Sequence, residues 1–272
     1  MNRAPATAKL NLALVVGPQR DDGRHEVATV LQRIDLADRV RVESAPRLRV
    51  EGFARDTLVR AALERLAEAA GVEPRWHATI QKAIPVASGL GGGSSDAATA
   101  LRLANAALPE PLPPECLYEL AAGLGADVPF FLTSGPQLGT GTGTELEPLD
   151  LPQDYWILLL LPSGAAKGST AEVYAAFDEG GGAEGFDQRR RQLARALREA
   201  RRPRDLAALP PNDLATSRHA ERLRALGAFR ADVSGAGPAV YGLFLHRQPA
   251  IAAERELRRL GRTWITVPAW YG

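Results

Sequence analysis

The chain reads as an α+β protein in two subdomains, residues 1–150 and 151–272. Two features carry that reading. Strand-like and helix-like periodicities interleave irregularly instead of alternating strictly, and no internal repeat or long low-complexity tract organises them. With 272 residues, 45% of them hydrophobic, the chain can bury one large core or two modest ones.

In the first part, "LNLALVV" (Leu10–Val16) is an apolar run. "DRVRVES" (Asp38–Ser44) alternates Val40 and Val42 with charged neighbours, so both are expected to be strands. "RLRVEG" continues the alternation with Leu48 and Val50. "DTLVRAALERLAEAAG" has helical spacing, with Asp56 as a cap and Gly71 as a stop. "WHATIQK" alternates Trp76, Ala78 and Ile80 and reads as a strand. Helices are expected from about Ser94 and Glu115, separated by "LPEPLPP". Beyond residue 150, "YWILLLLP" is uninterrupted, as a fully buried strand would be. "GGGAEG" (Gly180–Gly185) is expected to be a mobile loop, followed by the very basic helix "DQRRRQLARALREARRPRD". "FRADVSGAGPAVYGLFL" reads as strand, glycine turn, strand. "AIAAERELRRLG" follows as a surface helix, and "RTWITVPAW" supplies a last strand.

A net charge of +1 gives no overall reason for a nucleic-acid or membrane-surface partner. Cys116 is the single cysteine, which excludes disulfide frameworks and clustered-thiolate metal sites within one chain and fits a reducing cytosol. The apolar run near the start is broken by Lys9 and Asn11 and is too short and polar for a signal peptide or a membrane span. The expectation is a soluble cytoplasmic protein, monomeric or weakly dimeric. Thirty of the 33 basic residues are arginine, which makes Lys9, Lys82 and Lys167 worth locating, since an ammonium and a guanidinium do different work.

"PVASGLGGGSSDAATAL" (Pro85–Leu101) places four glycines in five positions immediately before a helical pattern of Ala97, Leu101, Ala104 and Leu108. Bare backbone can approach a ligand closely, and its N–H groups can turn inward as an anion nest. A glycine loop feeding a helix N-terminus adds unpaired donors and the positive end of the helix dipole. Ser94, Ser95 and Asp96 are natural capping residues, and their presence keeps an ordinary capped turn as the bland alternative. The segment lacks the closing Lys-Ser/Thr of a Walker loop, and it is not a Rossmann fingerprint. HRD and DFG signatures are absent. Two further pieces stand apart: Lys9 at the start of a strand in "APATAKLNL", and Asp127 in "GLGADVPFF", a turn that could hold a carboxylate rigidly. Phosphoryl transfer to an alcohol needs a group to accept the hydroxyl proton and a cation to steady developing charge. An Asp–Lys pair supplies both. Taken singly, Lys9 reads equally as a snorkelling surface residue and Asp127 as a turn residue.

Together these residues resemble the GHMP small-molecule kinases. "PVASGLGGGSSDAA" is similar to their second motif, "VSGAGPAVYGLF" (Val233–Phe244) to their glycine-rich third, and "APATAKLNL" to their first. "DDGRHEVATVLQRIDLAD", "GSTAEVYAAFD" and "PNDLA" look like the branch whose acceptor is a cytidine diphosphate-linked methylerythritol. The resemblance spans residues 4–244. It implies an N-terminal domain like the second domain of ribosomal protein S5, which binds ATP, and a substrate-binding C-terminal α/β sandwich of ferredoxin-like type.

It also implies ATP and Mg²⁺ as cofactors, with Lys9 and Asp127 as the catalytic pair acting on the substrate's 2-hydroxyl. Pro85, Val86, Ala87, Ser88, Gly89, Leu90, Gly91, Gly92, Gly93, Ser94 and Ser95 would form the ATP loop, with Thr57 at the adenine. The protein ligands of Mg²⁺ are left unassigned. Asn11, His25, Thr170, Tyr174 and Gly235 would bind substrate. Two positions depart from the family's pattern. Arg24 stands where a tyrosine usually stacks on cytosine, so the base is expected between Arg24 and Tyr174, with His25 reading its edge. Thr57 stands where asparagine is usual. Lys167 is placed near the diphosphate. The arginine-rich helix around Arg189, Arg190, Arg191, Arg195 and Arg198 reads as a solvated face, and His77, His219 and His246 show no metal-ligand spacing. The rivals are another GHMP kinase, acting on homoserine or mevalonate, and a nucleotide-binding module without catalysis.

Overall fold

The computed structural model describes residues 2–53, 58–164 and 169–269. Asp56, Thr57 and Lys167 therefore lie outside the described residues. The first half contains β1 (Arg3–Gln19), β2 (His25–Ser44), β3 (Arg49–Glu51), α1 (Leu58–Ala69), β4 (Trp76–Gln81), α2 (Gly92–Asn105) and α3 (Pro114–Leu124). A short 3₁₀ turn over Pro129–Leu132 and the strands β5 (Gln137–Thr140) and β6 (Glu145–Pro148) complete it. The second half runs β7 (Trp156–Pro162), α4 (Thr170–Glu179), α5 (Phe186–Glu199), α6 (Arg218–Ala225), β8 (Arg230–Val233), β9 (Val240–Phe244), α7 (Arg247–Leu257) and β10 (Gly261–Thr266).

Two sheets organise these elements. The first has the order β3-β4-β2-β5-β6, with β1 paired antiparallel along β2. The second is antiparallel in the order β10-β7-β9-β8, the arrangement that a ferredoxin-like β-α-β-β-α-β path produces. The mixed α+β class expected from the irregular interleaving is therefore the class observed. Leu10, Leu12, Val30 and Ile34 of the first sheet share one apolar cluster with Ile157, Leu159, Tyr241 and Leu243 of the second and with Leu193 of α5. Helices α1, α2 and α3 cover the first sheet's other face, and α6 and α7 pack on the second sheet.

β2 is the element least visible in the sequence. Its leading half is buried on both faces, so the alternation that betrays a half-exposed strand is missing there; only residues from Asp38 onward alternate. The Gly180–Gly185 segment is a chain of hydrogen-bonded turns rather than open loop: Gly181 and Gly182 donate to Asp178 and Phe177 carbonyls at 2.9 Å. The basic helix α5 is mostly a solvated face as expected, except for Arg189. Its guanidinium donates to Asp213 at 3.0 Å and to the Val16 carbonyl at 3.1 Å, tying α5 to β1.

Candidate active site

β1 presents Leu10 and Leu12 to the core and Lys9 and Asn11 to the opposite face, as period-two geometry requires. The register with β2 slips between Thr7 and Ala8 and again between Asn11 and Ala13, so irregularities bracket the two polar side chains. Bulges of this kind bend a strand and re-aim its side chains. Lys9 is buried, and its ammonium reaches two partners. Nζ donates to Asn11 Oδ1 at 2.6 Å and lies 3.3 Å from Asp127 Oδ2. Asn11 Nδ2 donates to the Thr29 hydroxyl at 2.8 Å, which donates to the Ala13 carbonyl at 2.8 Å. Each group is fixed by the next, and Asp127, with its side chain 39% exposed, is the open end of the chain.

Asp127 sits in the turn between α3 and the 3₁₀ segment. That segment is pinned to β2 by Arg33, which donates to the carbonyls of Phe130 and Thr133 and lies over the rings of Phe130 and Phe131. Burial lowers the Arg33 guanidinium to about 10.

The glycine segment enters α2 through Gly91, a left-handed N-cap at φ 71° that provides no side-chain cap. A Cβ there would meet Lys9 Cγ at 2.9 Å and the Phe131 ring at 3.0 Å, so Gly91 lets the loop, the lysine and the Asp127 segment meet. Gly89 serves a different purpose. A Cβ on it would lie 2.1 Å from the Ser234 carbonyl, and one on Gly237 would lie 2.2 Å from Gly89 N. The two glycine turns thus pack backbone against backbone. Ser234 Oγ donates to the Gly89 carbonyl at 3.1 Å, and Ala239 N to the Ser88 carbonyl at 3.0 Å. Asn212, of the "PNDLA" run, secures the second turn by donating to the carbonyls of Val233 at 3.0 Å and Gly235 at 2.7 Å. Ala87, φ 55°, is the one non-glycine among the described residues with positive φ, a strained backbone of the kind that gathers at functional sites.

These pieces line one cleft of about 500 Å³. Of the expected ATP loop, Pro85, Val86, Ala87, Ser88, Gly89, Gly91, Gly92, Gly93 and Ser94 face it. Leu90 does not; it is a core residue. Ser95 is also buried away from the lining, and its hydroxyl has no hydrogen-bond partner among the described residues. Lys9, Asn11, Asp127, Thr170, Tyr174 and Gly235 line the remainder. Thr170 and Tyr174 arrive on α4, whose start is set by a capping box: Ser169 Oγ accepts from Glu172 N, and Glu172 accepts from Ser169 N. Burial raises the Tyr174 hydroxyl to about 12.

The structure does not bring Arg24 to Tyr174. Arg24 is exposed in the turn before β2, its N–H on Asp22 at 3.0 Å, and the ring neighbour of Tyr174 is His25. Asn11, expected to bind substrate, lines the cleft and spends its amide on Lys9 and Thr29.

Lys82 is the residue that sequence reasoning left without a role. It lines the cleft, and its Nζ donates to Asp38 and, at 2.7 Å, to Asp96, both carboxylates wholly buried. Asp38 also accepts from the N–H groups of Ala83 at 2.5 Å and Ile84 at 2.8 Å. The scarcity of lysine was the available signal; its carboxylate partners lie 44 and 14 residues away.

Comparison with known proteins agrees with this geometry. The chain matches the family models for the GHMP kinases N terminal domain over residues 57–135 and the GHMP kinases C terminal over residues 187–263. Its fold resembles the Methanococcus jannaschii mevalonate kinase, TM-score 0.75 at 13% identity, over 98% of each chain. A glycine loop opening an uncapped helix beside a lysine–carboxylate pair, in this two-sheet fold, defines an ATP-using small-molecule kinase of the GHMP class.

Closer likenesses narrow the class. A 4-diphosphocytidyl-2-C-methyl-D-erythritol kinase from Pelotomaculum thermopropionicum is 38% identical over 94% of this chain and 93% of its own length. One from Nocardia farcinica is 39% identical over 95% and 89%. A crystal structure of a 4-(cytidine 5'-diphospho)-2C-methyl-D-erythritol kinase superposes with a TM-score of 0.79 at 32% identity, over 98% of this chain and 99% of that one. The chain belongs to the 4-diphosphocytidyl-2-C-methyl-D-erythritol kinase family.

Proposed function

We propose that the chain transfers the γ-phosphoryl group of ATP to the 2-hydroxyl of 4-diphosphocytidyl-2-C-methyl-D-erythritol. The products are the 2-phosphate and ADP, in the non-mevalonate route to isoprenoid precursors. The observation that carries the chemistry is the Lys9–Asp127 pair, 3.3 Å apart in the cleft that the N-terminus of α2 also lines. Asp127 accepts the proton of the acceptor hydroxyl, a role worth roughly 10²–10⁴ in rate. Lys9, anchored by Asn11, holds the carboxylate and faces the incoming phosphoryl group. The bare N–H groups at the start of α2 and its dipole receive the phosphates.

Among the described residues, no group of three or more His, Cys, Asp or Glu gathers for a metal. Ser94 and Asp127, both on the cleft lining, are oxygen donors that would hold Mg²⁺ there. Mg²⁺, when bound, neutralises charge on the β- and γ-oxygens.

The division near residue 150 would separate phosphate binding and proton transfer from a second domain that brings Thr170, Tyr174 and Gly235 to the acceptor. His25, stacked on Tyr174, reads the edge of the base. No described helix is long and apolar enough to cross a membrane. A cytoplasmic enzyme is the reading that fits ATP and a cytidine-linked alcohol as substrates.

A coupled ADP-release assay tests the reading. Turnover is expected with the cytidine-linked alcohol and none above background with homoserine or mevalonate. Turnover confined to either of the latter contradicts it.

A further inference from the structure

The second glycine turn, Ser234–Gly237, stands where the phosphate loop meets the lysine–carboxylate pair. A Cβ on Gly235 would lie 3.3 Å from Asn11 Oδ1 and 3.6 Å from both Lys9 Nζ and the Gly89 carbonyl oxygen. Gly237 N donates to the Ser234 carbonyl at 3.3 Å, so Gly235 and Ala236 are the central residues of a β-turn. The peptide joining them is the unit that such a turn can rotate while its ends stay in place. Its carbonyl, that of Gly235, accepts from Asn212 Nδ2 at 2.7 Å, and Asn212 is buried outside the cleft lining. Across a trans peptide the Ala236 N–H points the opposite way. That N–H makes no hydrogen bond among the described residues, and both Gly235 and Ala236 line the cleft.

Asn212 itself is fixed. Nδ2 also donates to the Val233 carbonyl at 3.0 Å, and Oδ1 accepts from Leu214 N at 2.9 Å. Reversing the amide would set its oxygen against two carbonyls. Its own N–H donates to Asp232 at 3.0 Å. The next residue, Asp213, donates its N–H to the Leu14 carbonyl and accepts from Val16 N, each at 2.9 Å. These bonds fix Asn212 to β1, the strand that carries Lys9 and Asn11.

We infer that Asn212 is a positioning residue that locks the central peptide of this turn with the Ala236 N–H towards the cleft, as a donor to the phosphoryl group being transferred. The inference rests on the proposed reading of the cleft as a phosphoryl-transfer site. A rotated peptide would turn the Gly235 carbonyl oxygen, a partial negative charge, on the anion beside Lys9. A fixed donor aimed where charge develops in the transition state acts without reorganising. Ala236 adds a second lock, because rotation would carry its φ to positive values that an L residue disfavours.

Asn212→Ala removes both side-chain donors and keeps the backbone bond to Asp232. Its kcat for ADP release is expected to fall at least roughly tenfold with the KM for ATP and for the acceptor nearly unchanged, the pattern of a contact made in the transition state. Titration calorimetry reads the same contact without turnover. ADP affinity should hold, while affinity for ADP with aluminium fluoride, a mimic of the transferring phosphoryl group, should fall at least roughly tenfold. A merely structural role would weaken both alike. A second variant leaves every side chain in place: lactic acid incorporated instead of Ala236 turns the amide into an ester and deletes the N–H. It should lower kcat and the affinity for the mimic in the same way. An ester variant within about twofold of wild type in both, or an Asn212→Ala protein that loses ADP as much as the mimic, overturns the inference. Its failure is separable from that of the kinase reading. If the cytidine-linked alcohol is phosphorylated and the ester variant is as fast as wild type, the peptide argument alone falls. If both variants lose the mimic while wild type phosphorylates only homoserine or mevalonate, the reading of the acceptor falls and the inference stands.

Discussion

Replacing Lys82 with methionine removes the ammonium that two buried carboxylates share. Asp38 and Asp96 are both wholly inaccessible to solvent, and neither can recover hydration without opening the junction between β2 and α2. Breaking a buried ion pair by deleting one partner costs about 3–5 kcal/mol, because the orphaned charge stays in low dielectric. Against a total stability of about 5–15 kcal/mol, that is a large fraction. At roughly 2–4 °C per kcal/mol for chains of this size, the melting temperature should fall by roughly 6–20 °C. The loss should also be pH-dependent. Burial works to lower the Lys82 ammonium, but its hydrogen bonds to Asp38 and Asp96 and their charges outweigh burial and raise it above the ordinary 10.5. A raised folded-state value means the stabilisation is fully present below 10.5 and disappears as pH rises through the raised value. Wild type should therefore lose melting temperature above that pH, a loss Lys82→Met should not share.

Function should suffer with stability, since a Cβ on Gly92 would lie 3.3 Å from Nζ: the ammonium rests against the first turn of the phosphate helix. The assay is thermal unfolding by circular dichroism across pH 7–11, with ATP KM measured well below the melting temperature. The double variant Lys82→Met/Asp96→Asn should recover part of the loss. A Lys82→Met protein that melts within about 2 °C of wild type, with the same alkaline decline, would show that the ammonium does not stabilise the two carboxylates.

Asn11→Ala should leave Lys9 without its 2.6 Å acceptor and lower kcat at least roughly tenfold with ATP KM nearly unchanged, measured by steady-state ADP release. Gly237→Ala places a methyl group 2.2 Å from Gly89 N and should force the two glycine turns apart. ATP KM should then rise more than the KM for the acceptor, in the same assay. Chelation of Mg²⁺ should abolish ADP release without shifting the melting temperature of the nucleotide-free protein, because no described carboxylate cluster depends on the ion.

The residues of the proposed chemistry stood out in the sequence for different reasons: glycine is clustered before α2, Lys9 is one of only three lysines, and Asp127 sits between small residues and a proline. Single-residue cues could not show what the glycines do. Gly89 and Gly237 are required by each other as much as by phosphate, a contact between turns nearly 150 residues apart. The first half of β2 was silent because burial on both faces erases the two-residue period. Arg24 looked like a stacking residue from its place in "GRH", yet the neighbouring His25 is the ring that reaches Tyr174. Its Asp178 partner is 153 residues away, beyond any local pattern.

Asp127, steadied by Lys9, is proposed to take the proton of the acceptor hydroxyl. Single-turnover transfer from γ-³²P-labelled ATP to the cytidine-linked alcohol, wild type against Asp127→Asn, tests it most directly. The asparagine keeps the size of the side chain and the Lys9 contact through its carbonyl but cannot accept the proton. A fall of roughly 10²–10⁴ in the transfer rate, with ATP affinity retained, is the expected result. A rate within a few-fold of wild type would contradict the assignment and return Asp127 to the role of an ordinary turn residue.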